Sequence, residues 1–164
     1  MIQGSSLWFA ALIAMLISSS QAQDCFTHWT RAEAYCPDNS SPECSKFNCN
    51  KPRPAGTLCY SFPLYYSLTE AQTGNIVSNP AEGRFSGNLP ISTNKGPMKF
   101  DFFAGKDQIR INLDNKTGKA NITGGRGCYV GIRGKATRTR VGTTLPMVFE
   151  WKFCPVVPPK CTPK

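Results

Sequence analysis

Hydrophobic and polar residues alternate along two long segments of this chain. In the first segment, apolar and aromatic side chains recur at every second position: Leu58, Tyr60, Phe62, Leu64 and Tyr66. In the second segment the same spacing relates Met147, Phe149, Trp151 and Phe153. A period of two places these side chains on one face of a β-strand. Both segments therefore predict strands with one buried face.

Further segments of the same kind lie between these two strands, and turn residues separate them. The candidate strands are 75–78, 83–89, 98–104, 108–113, 120–123 and 128–140, the last being one long strand or two short ones. Short strands with turn signals roughly every 8–12 residues are typical of β-sandwiches and β-barrels. We favour an antiparallel β-barrel of about eight strands, because closure leaves no exposed sheet edge. The predicted fold class is therefore all-β.

The segment before these strands has a different character, because residues 23–56 are rich in cysteine and proline. This composition predicts a disulfide-stapled N-terminal arm. Within it, Thr27–Tyr35 predicts two helical turns, capped by Thr27 or Thr30. The predicted organisation is a signal peptide at 1–22, the arm at 23–56, and a β-barrel domain at 57–164 that ends in a Cys- and Pro-rich tail.

The first 22 residues resemble a secretory signal. An apolar run extends from Leu7 to Ile17, and the small residues Ser20 and Ala22 follow where a signal peptidase would cut. The run is too short to cross a bilayer, which takes about 20 apolar residues. We therefore expect cleavage near Ala22 and a secreted, extracellular protein with no membrane span after cleavage.

Cysteine usage agrees with an oxidising compartment. The chain has 8 cysteines, all outside the predicted signal: Cys25, Cys36, Cys44, Cys49, Cys59, Cys128, Cys154 and Cys161. The simplest interpretation is four disulfides, although eight cysteines allow about 105 pairings. A zinc site is disfavoured, because His28 is the only histidine and no C-x-x-C pair exists. The sequence predicts no metal site and no cofactor.

Basic residues exceed acidic ones by 19 to 10, which gives a net charge of +9. Such a charge attracts polyanions. The candidate ligand-binding residues form a basic ridge: Arg126, Arg133, Lys135, Arg138 and Arg140. Guanidinium groups bind phosphate or sulfate oxygens in pairs. The alternative is a solvated outer face, and nucleic acid is disfavoured because no aromatic residues alternate with the arginines.

Two other residue sets bear on function. The apolar face that would fill the barrel, or line a cavity in it, comprises Phe100, Phe102, Ile109, Ile111, Phe149 and Trp151, with Phe153 beside them. Asn39, Asn115 and Asn121 each begin an N-glycosylation sequon. Asn115 is predicted at an accessible hairpin tip and Asn39 in a polar loop. Asn121, next to the double glycine, is predicted to be a sterically less accessible glycosylation site.

The segment T-G-G-R-G-C-Y-V-G-I-R-G-K-A from Thr123, followed by the aromatic strand F-E-W-K-F, resembles the allene oxide cyclase and dirigent barrel superfamily. The resemblance covers residues 121–153, with a fainter echo at 83–87. It implies an eight-stranded antiparallel barrel with an apolar cavity, often assembled as a homo-oligomeric trimer. The acidic residues that act in the family cannot be placed on this chain, and the cysteine-rich arm departs from the family pattern.

No acid-base or nucleophile set is recognisable in the sequence. We therefore predict a secreted, disulfide-rich binding protein of the effector or defence type, without catalysis. Its expected partner is an extracellular protein, an anionic glycan or a small apolar ligand. One alternative is a dirigent-like or allene-oxide-cyclase-like barrel that steers a reactive small molecule. Another is a protein that binds anionic glycan or the cell wall through the basic ridge.

Overall fold

Eight antiparallel strands form a closed barrel in the computed structural model, which describes residues 24–32, 56–75, 83–144 and 146–162. The strands are β1 (Phe26–Ala32), β2 (Thr57–Tyr65), β3 (Arg84–Pro90), β4 (Lys95–Phe102), β5 (Asp107–Asp114), β6 (Lys119–Arg126), β7 (Arg133–Val141) and β8 (Met147–Val157). Each strand pairs with the next, and β1 pairs with β8 to close the wall. The all-β, eight-stranded antiparallel fold class is confirmed.

The prediction of helical turns over Thr27–Tyr35 is wrong, because Phe26–Ala32 forms strand β1. This strand pairs with β8 over seven positions, from Phe26 opposite Phe153 to Ala32 opposite Met147. Such pairing overrides weak local helix propensity. The first part of the predicted arm therefore belongs to the barrel. The signal peptide and most of the arm lie outside the described residues, as do residues 76–78 of the candidate strand 75–78.

Aromatic side chains fill the middle of the barrel. Trp151 and Phe153 on β8 are fully buried, as are Phe85 on β3 and Phe100 on β4. The ring of Phe100 lies with its centroid 4.9 Å from that of Trp151 and 5.0 Å from that of Phe153. These separations are typical of favourable aromatic pairs. The predicted inward face of β8 is confirmed, and the middle of the barrel is packed with side chains.

A short helix, α1 (Leu68–Thr73), packs on the outside of the barrel, where the sequence pattern predicted only a turn. The backbone N–H of Glu70 donates to the Ser67 side chain. Glu70 in turn accepts from the backbone N–H of Tyr66. Ser67 and Glu70 have the three-residue spacing of a capping box, a sequence signal that would have identified the helix. Ala71 packs in an outer apolar cluster with Val148.

The two ends of the barrel differ. At one end, here called the disulfide end, Cys25 before β1 is bonded to Cys154 on β8, and Cys128 is bonded to Cys161. The second bond confirms that the C-terminal tail is tied back to the barrel. Cys59 is also disulfide-bonded, whereas Cys36, Cys44 and Cys49 lie outside the described residues. Disulfides of this kind are typical of extracytoplasmic proteins.

Helices long and apolar enough to span a membrane do not occur among the residues that the structure describes.

The glycine-rich segment that runs from the end of β6 to the start of β7 allows close backbone approach. A Cβ atom on Gly125 would lie 2.5 Å from the Gln108 carbonyl oxygen and would also clash with that of Tyr129. We expect Gly125→Ala to lower the free energy of unfolding by about 2 kcal/mol, because backbone atoms must move. Gly131→Ala is the control, since nothing lies within 4 Å and only its φ of +82° opposes alanine, at about 1 kcal/mol. Urea denaturation measures the stability of both variants. If Gly125→Ala and Gly131→Ala lower the free energy of unfolding equally, the close-approach explanation is contradicted.

Candidate functional site

A cavity of about 230 Å³ opens at the other end of the barrel, here called the open end, where β1 and β7 finish and β8 begins. Its lining residues are Thr30, Ala32, Tyr60, Phe62, Phe85, Asn115, Arg138, Met147, Phe149 and Trp151. Most of these side chains are apolar or aromatic, and a few polar groups converge among them. This combination is typical of small-molecule sites. The packed rings of Phe85 and Trp151 form its inner boundary.

Arg138 is the only charged residue in the described cavity lining. Its Nη1 donates to Asn115 Oδ1 and its Nη2 to the Asn115 carbonyl oxygen, the latter over 2.9 Å. The guanidinium carbon lies 4.9 Å from the centroid of the Phe149 ring and 5.8 Å from that of Trp151. Two hydrogen bonds and two aromatic faces therefore hold the cation in one orientation at the cavity.

The charge of Arg138 has no carboxylate partner among the described residues. Burial lowers the pKa of the guanidinium, while the nearby Tyr60 raises it in part. An arginine nevertheless stays charged in proteins. Five N–H groups are available on a guanidinium, and only two of those on Arg138 donate to described residues. The site therefore offers an uncompensated positive charge with unused donors inside an apolar cavity.

Asn115 connects this cation to the wall of the barrel. Its Nδ2 donates to Tyr60 Oη over 3.1 Å and to Asn94 Oδ1 over 2.9 Å. Deeper in the cavity, Trp151 Nε1 donates to Thr30 Oγ1 over 3.0 Å. These bonds fix the polar groups of the cavity on strands and on the tight turn after β5. The arrangement is preorganised, which lowers the entropy lost when a ligand binds.

The predicted basic ridge is not brought together as one surface. Arg138 faces the cavity, whereas Arg140 is exposed and donates to the Thr143 carbonyl oxygen. Arg126 donates to the carbonyl oxygen of Gly105, beyond the opposite end of the barrel. Arg133 and Lys135 are exposed at the start of β7. Among these five residues, only Arg138 lines the cavity.

Only two of the six predicted cavity residues line the open-end cavity. Phe149 and Trp151 line the open-end cavity, whereas the other four predicted residues are core side chains: Phe100, Phe102, Ile109 and Ile111. Sequence reasoning missed the roles of Tyr60, Thr30 and Asn115. Tyr60 was placed on the inward face of β2 by its spacing, but its contact with Asn115 depends on how the turn after β5 meets the barrel rim. No local pattern encodes that contact.

Asn115 was expected at an accessible hairpin tip, but its side-chain nitrogen is half-buried and donates two hydrogen bonds. An N-linked glycan replaces one hydrogen on Nδ2, so a glycan on Asn115 would break its hydrogen bond to Tyr60 or to Asn94 in the cavity wall. Asn121 is exposed on β6. Asn39 lies outside the described residues. Glycosylation at all three sequons stays a prediction.

A second polar group lies inside the barrel, nearer the disulfide end. His28 on β1 is 1% exposed, and both of its ring nitrogens lack a hydrogen-bond partner among the described residues. Aromatic rings surround it, with the centroids of Phe102 at 4.9 Å and Tyr66 at 5.3 Å. Burial lowers the pKa of His28 from 6.5 to about 4. The imidazole is therefore neutral near pH 7.

Groups of three or more metal-binding side chains do not occur in the part of the chain that the structure describes.

No protein-family model and no curated protein matches the chain. Among solved structures, the pterocarpan synthase dirigent protein is similar, with a TM-score of 0.49 and 17% sequence identity over 79% of this chain and 81% of that chain. At this identity and TM-score, the likeness carries no information about the activity of this chain.

Proposed function

We propose that this protein is a secreted binding protein whose open-end cavity takes a small, mainly apolar molecule with one anionic oxygen group. The proposal rests on the environment of Arg138. This half-buried cation has unused hydrogen-bond donors and no carboxylate partner among the described residues. A carboxylate or phenolate would compensate this charge. The rings of Phe149 and Trp151 would cover the apolar part of the ligand.

The size of the cavity limits the ligand. A buried cavity of about 150 Å³ accommodates benzene, and the open-end cavity has about 230 Å³. One aromatic ring with a short side chain therefore fits. Cinnamate, a phenyl ring joined to a carboxylate by two carbons, is a suitable probe. Cinnamamide has nearly the same shape without the charge and is the matched control ligand.

Calorimetric titration with cinnamate tests the proposal. Hydrogen bonds to charged groups contribute about 1.5–3 kcal/mol, so we expect Arg138→Met to weaken cinnamate binding by about 10- to 100-fold. Arg140→Met removes an equal charge from an exposed position on the same strand and should change the affinity by less than about twofold. We also expect cinnamamide to bind weakly to all three proteins. Equal affinities of the wild type and Arg138→Met for cinnamate would contradict the proposal.

Dirigent-like or allene-oxide-cyclase-like steering of a reactive molecule is the second candidate function. The open apolar cavity with a few polar groups favours it, because confinement alone can orient reactants. However, the described cavity lining has no Asp, Glu or His to transfer protons. Incubation with phenolic radicals, oxylipin epoxides and terpenoids should therefore give no turnover. A stereoselective product would favour steering over binding alone.

A further inference from the structure

A second concave surface lies on the outside of the barrel, where an open groove of about 590 Å³ crosses β5, β6 and β7. Its lining residues are Lys95, Asn112, Leu113, Asp114, Thr117, Lys119, Ala120, Asn121, Lys135, Ala136 and Thr137. We call it the basic groove. It faces away from the open-end cavity, because its polar side chains alternate with the inward-facing Leu113, Ala120 and Ala136 along the strands.

Strand register explains why these polar residues form one surface. Asn121 on β6 lies opposite Asn112 on β5 and opposite Lys135 on β7. In the next row, Thr137 on β7 lies opposite Lys119 on β6 and opposite Lys152 on β8. Directly opposite residues of antiparallel strands share one face of the sheet. The register therefore extends the basic groove to Lys152.

The charge of this surface is positive and largely uncompensated. Lys119, Lys135 and Lys152 are exposed, and none forms an ion pair with a described residue. The one carboxylate in the basic groove, Asp114, is already paired with Lys95 over 2.9 Å. Neighbouring strands lie about 4.8 Å apart, so cations on β6 and β8 stand roughly 10 Å apart. Such a row of separated cations suits an extended polyanion.

We propose that the basic groove binds an anionic polysaccharide whose sugars carry carboxylate groups. The three lysines would meet the carboxylates, while Asn112, Asn121 and Thr137 offer neutral donors and acceptors to sugar hydroxyl groups.

The composition of the groove argues against two other polyanions. Single-stranded nucleic acid is bound through aromatic side chains on which bases stack, and no aromatic residue lines the basic groove. A membrane surface is bound by a basic face combined with inserted apolar residues. The exposed large hydrophobic residues of the described chain are Ile91, Val130, Val156 and Val157, and none of them lines the basic groove.

The test measures binding to polygalacturonate, with its fully methyl-esterified form as the uncharged control polymer. Unglycosylated protein is required, because a glycan on Asn121 would cover the basic groove. The triple variant Lys119→Gln, Lys135→Gln, Lys152→Gln removes the unpaired cations. The matched control is Lys106→Gln, Arg140→Gln, Lys160→Gln, which removes three exposed charges that do not line the basic groove.

We expect the wild type to bind polygalacturonate in a salt-sensitive manner and to leave the esterified polymer unbound. The groove variant should lose about tenfold or more in affinity, and the control variant less than about threefold. Equal losses in both variants would overturn the proposal, because net charge alone would then explain binding. Groove-dependent binding to duplex DNA or to anionic lipid vesicles that is tighter than binding to polygalacturonate would overturn the choice of partner. Because Arg138 lies outside the groove, Arg138→Met should retain polysaccharide binding whether or not it retains cinnamate binding.

Discussion

Removal of the Cys25–Cys154 disulfide is expected to lower the free energy of unfolding by about 4 kcal/mol. The bond joins residues 129 positions apart, and it links the residue before β1 to β8 at the seam where the barrel closes. Opening it releases a long loop in the unfolded chain, and the chain-entropy model assigns about 4–5 kcal/mol to loops of this length. The double variant Cys25→Ser, Cys154→Ser leaves neither thiol of the pair behind, and guanidinium denaturation measures its stability.

The Cys128–Cys161 disulfide provides the comparison. It spans only 33 positions, so Cys128→Ser, Cys161→Ser should cost about 1 kcal/mol less than the first double variant. A smaller loss from opening Cys25–Cys154 than from opening Cys128–Cys161 would contradict the chain-entropy explanation.

Acid should destabilise the barrel through His28. The pKa of this buried imidazole falls from 6.5 in the unfolded chain to about 4 in the folded protein. Between these two values the unfolded chain binds a proton that the folded protein does not bind. The free energy of unfolding therefore decreases as the pH falls from 6.5 to 4, by about 1.4 kcal/mol per pH unit and about 3 kcal/mol in total.

The variant His28→Phe isolates this contribution. Phenylalanine is also a flat aromatic ring, like its neighbours Phe26, Phe102 and Phe153, and it carries no nitrogen that needs a partner. We expect it to be at least as stable as the wild type at pH 7, since burying an unpaired polar group is costly. Its stability should be nearly constant from pH 6.5 to 5. Urea denaturation across this range measures both proteins, and equal pH dependence would contradict the assignment to His28.

Because His28 is the only histidine in the chain, its ring protons can be assigned without ambiguity. An NMR titration of the folded protein should show no imidazole protonation near pH 6.5. A midpoint near 6.5 would show that the ring is solvated.

Much of the fold could be predicted from the sequence, because inward and outward positions alternate along the strands. The segment from Leu58 to Tyr66 and the segment from Met147 to Phe153 encode β2 and β8 directly. The glycine-rich segment from Thr123 carried the resemblance that implied eight strands, and the strand pairing confirms this number. By contrast, the sequence predicts helical turns where β1 lies, because its residues have mixed local propensity and its pairing partner β8 lies far away in sequence.

The candidate site was harder to predict for a physical reason. A basic run in a strand shows which side chains share a face, but not how far each side chain lies from the rim of the barrel. Arg138 and Arg140 are two positions apart and share a face, so spacing could not show that only Arg138 lines the cavity. Asn115 appeared as a sequon in a turn, although the structure uses its carbonyl and side-chain oxygens to hold Arg138. Contacts between residues 23 positions apart depend on the assembled rim.

The proposed function places a small anionic molecule in the open-end cavity, between Arg138 and the aromatic wall. Indole N–H resonances test it within one molecule, because Trp151 lines the cavity whereas Trp29 packs in the outer cluster near α1. In an NMR titration with cinnamate, we predict a saturable shift of the Trp151 indole resonance and of the Arg138 Nε–H resonance, with little change at Trp29. Saturable binding that leaves the Trp151 and Arg138 resonances unshifted would contradict binding of cinnamate in the open-end cavity.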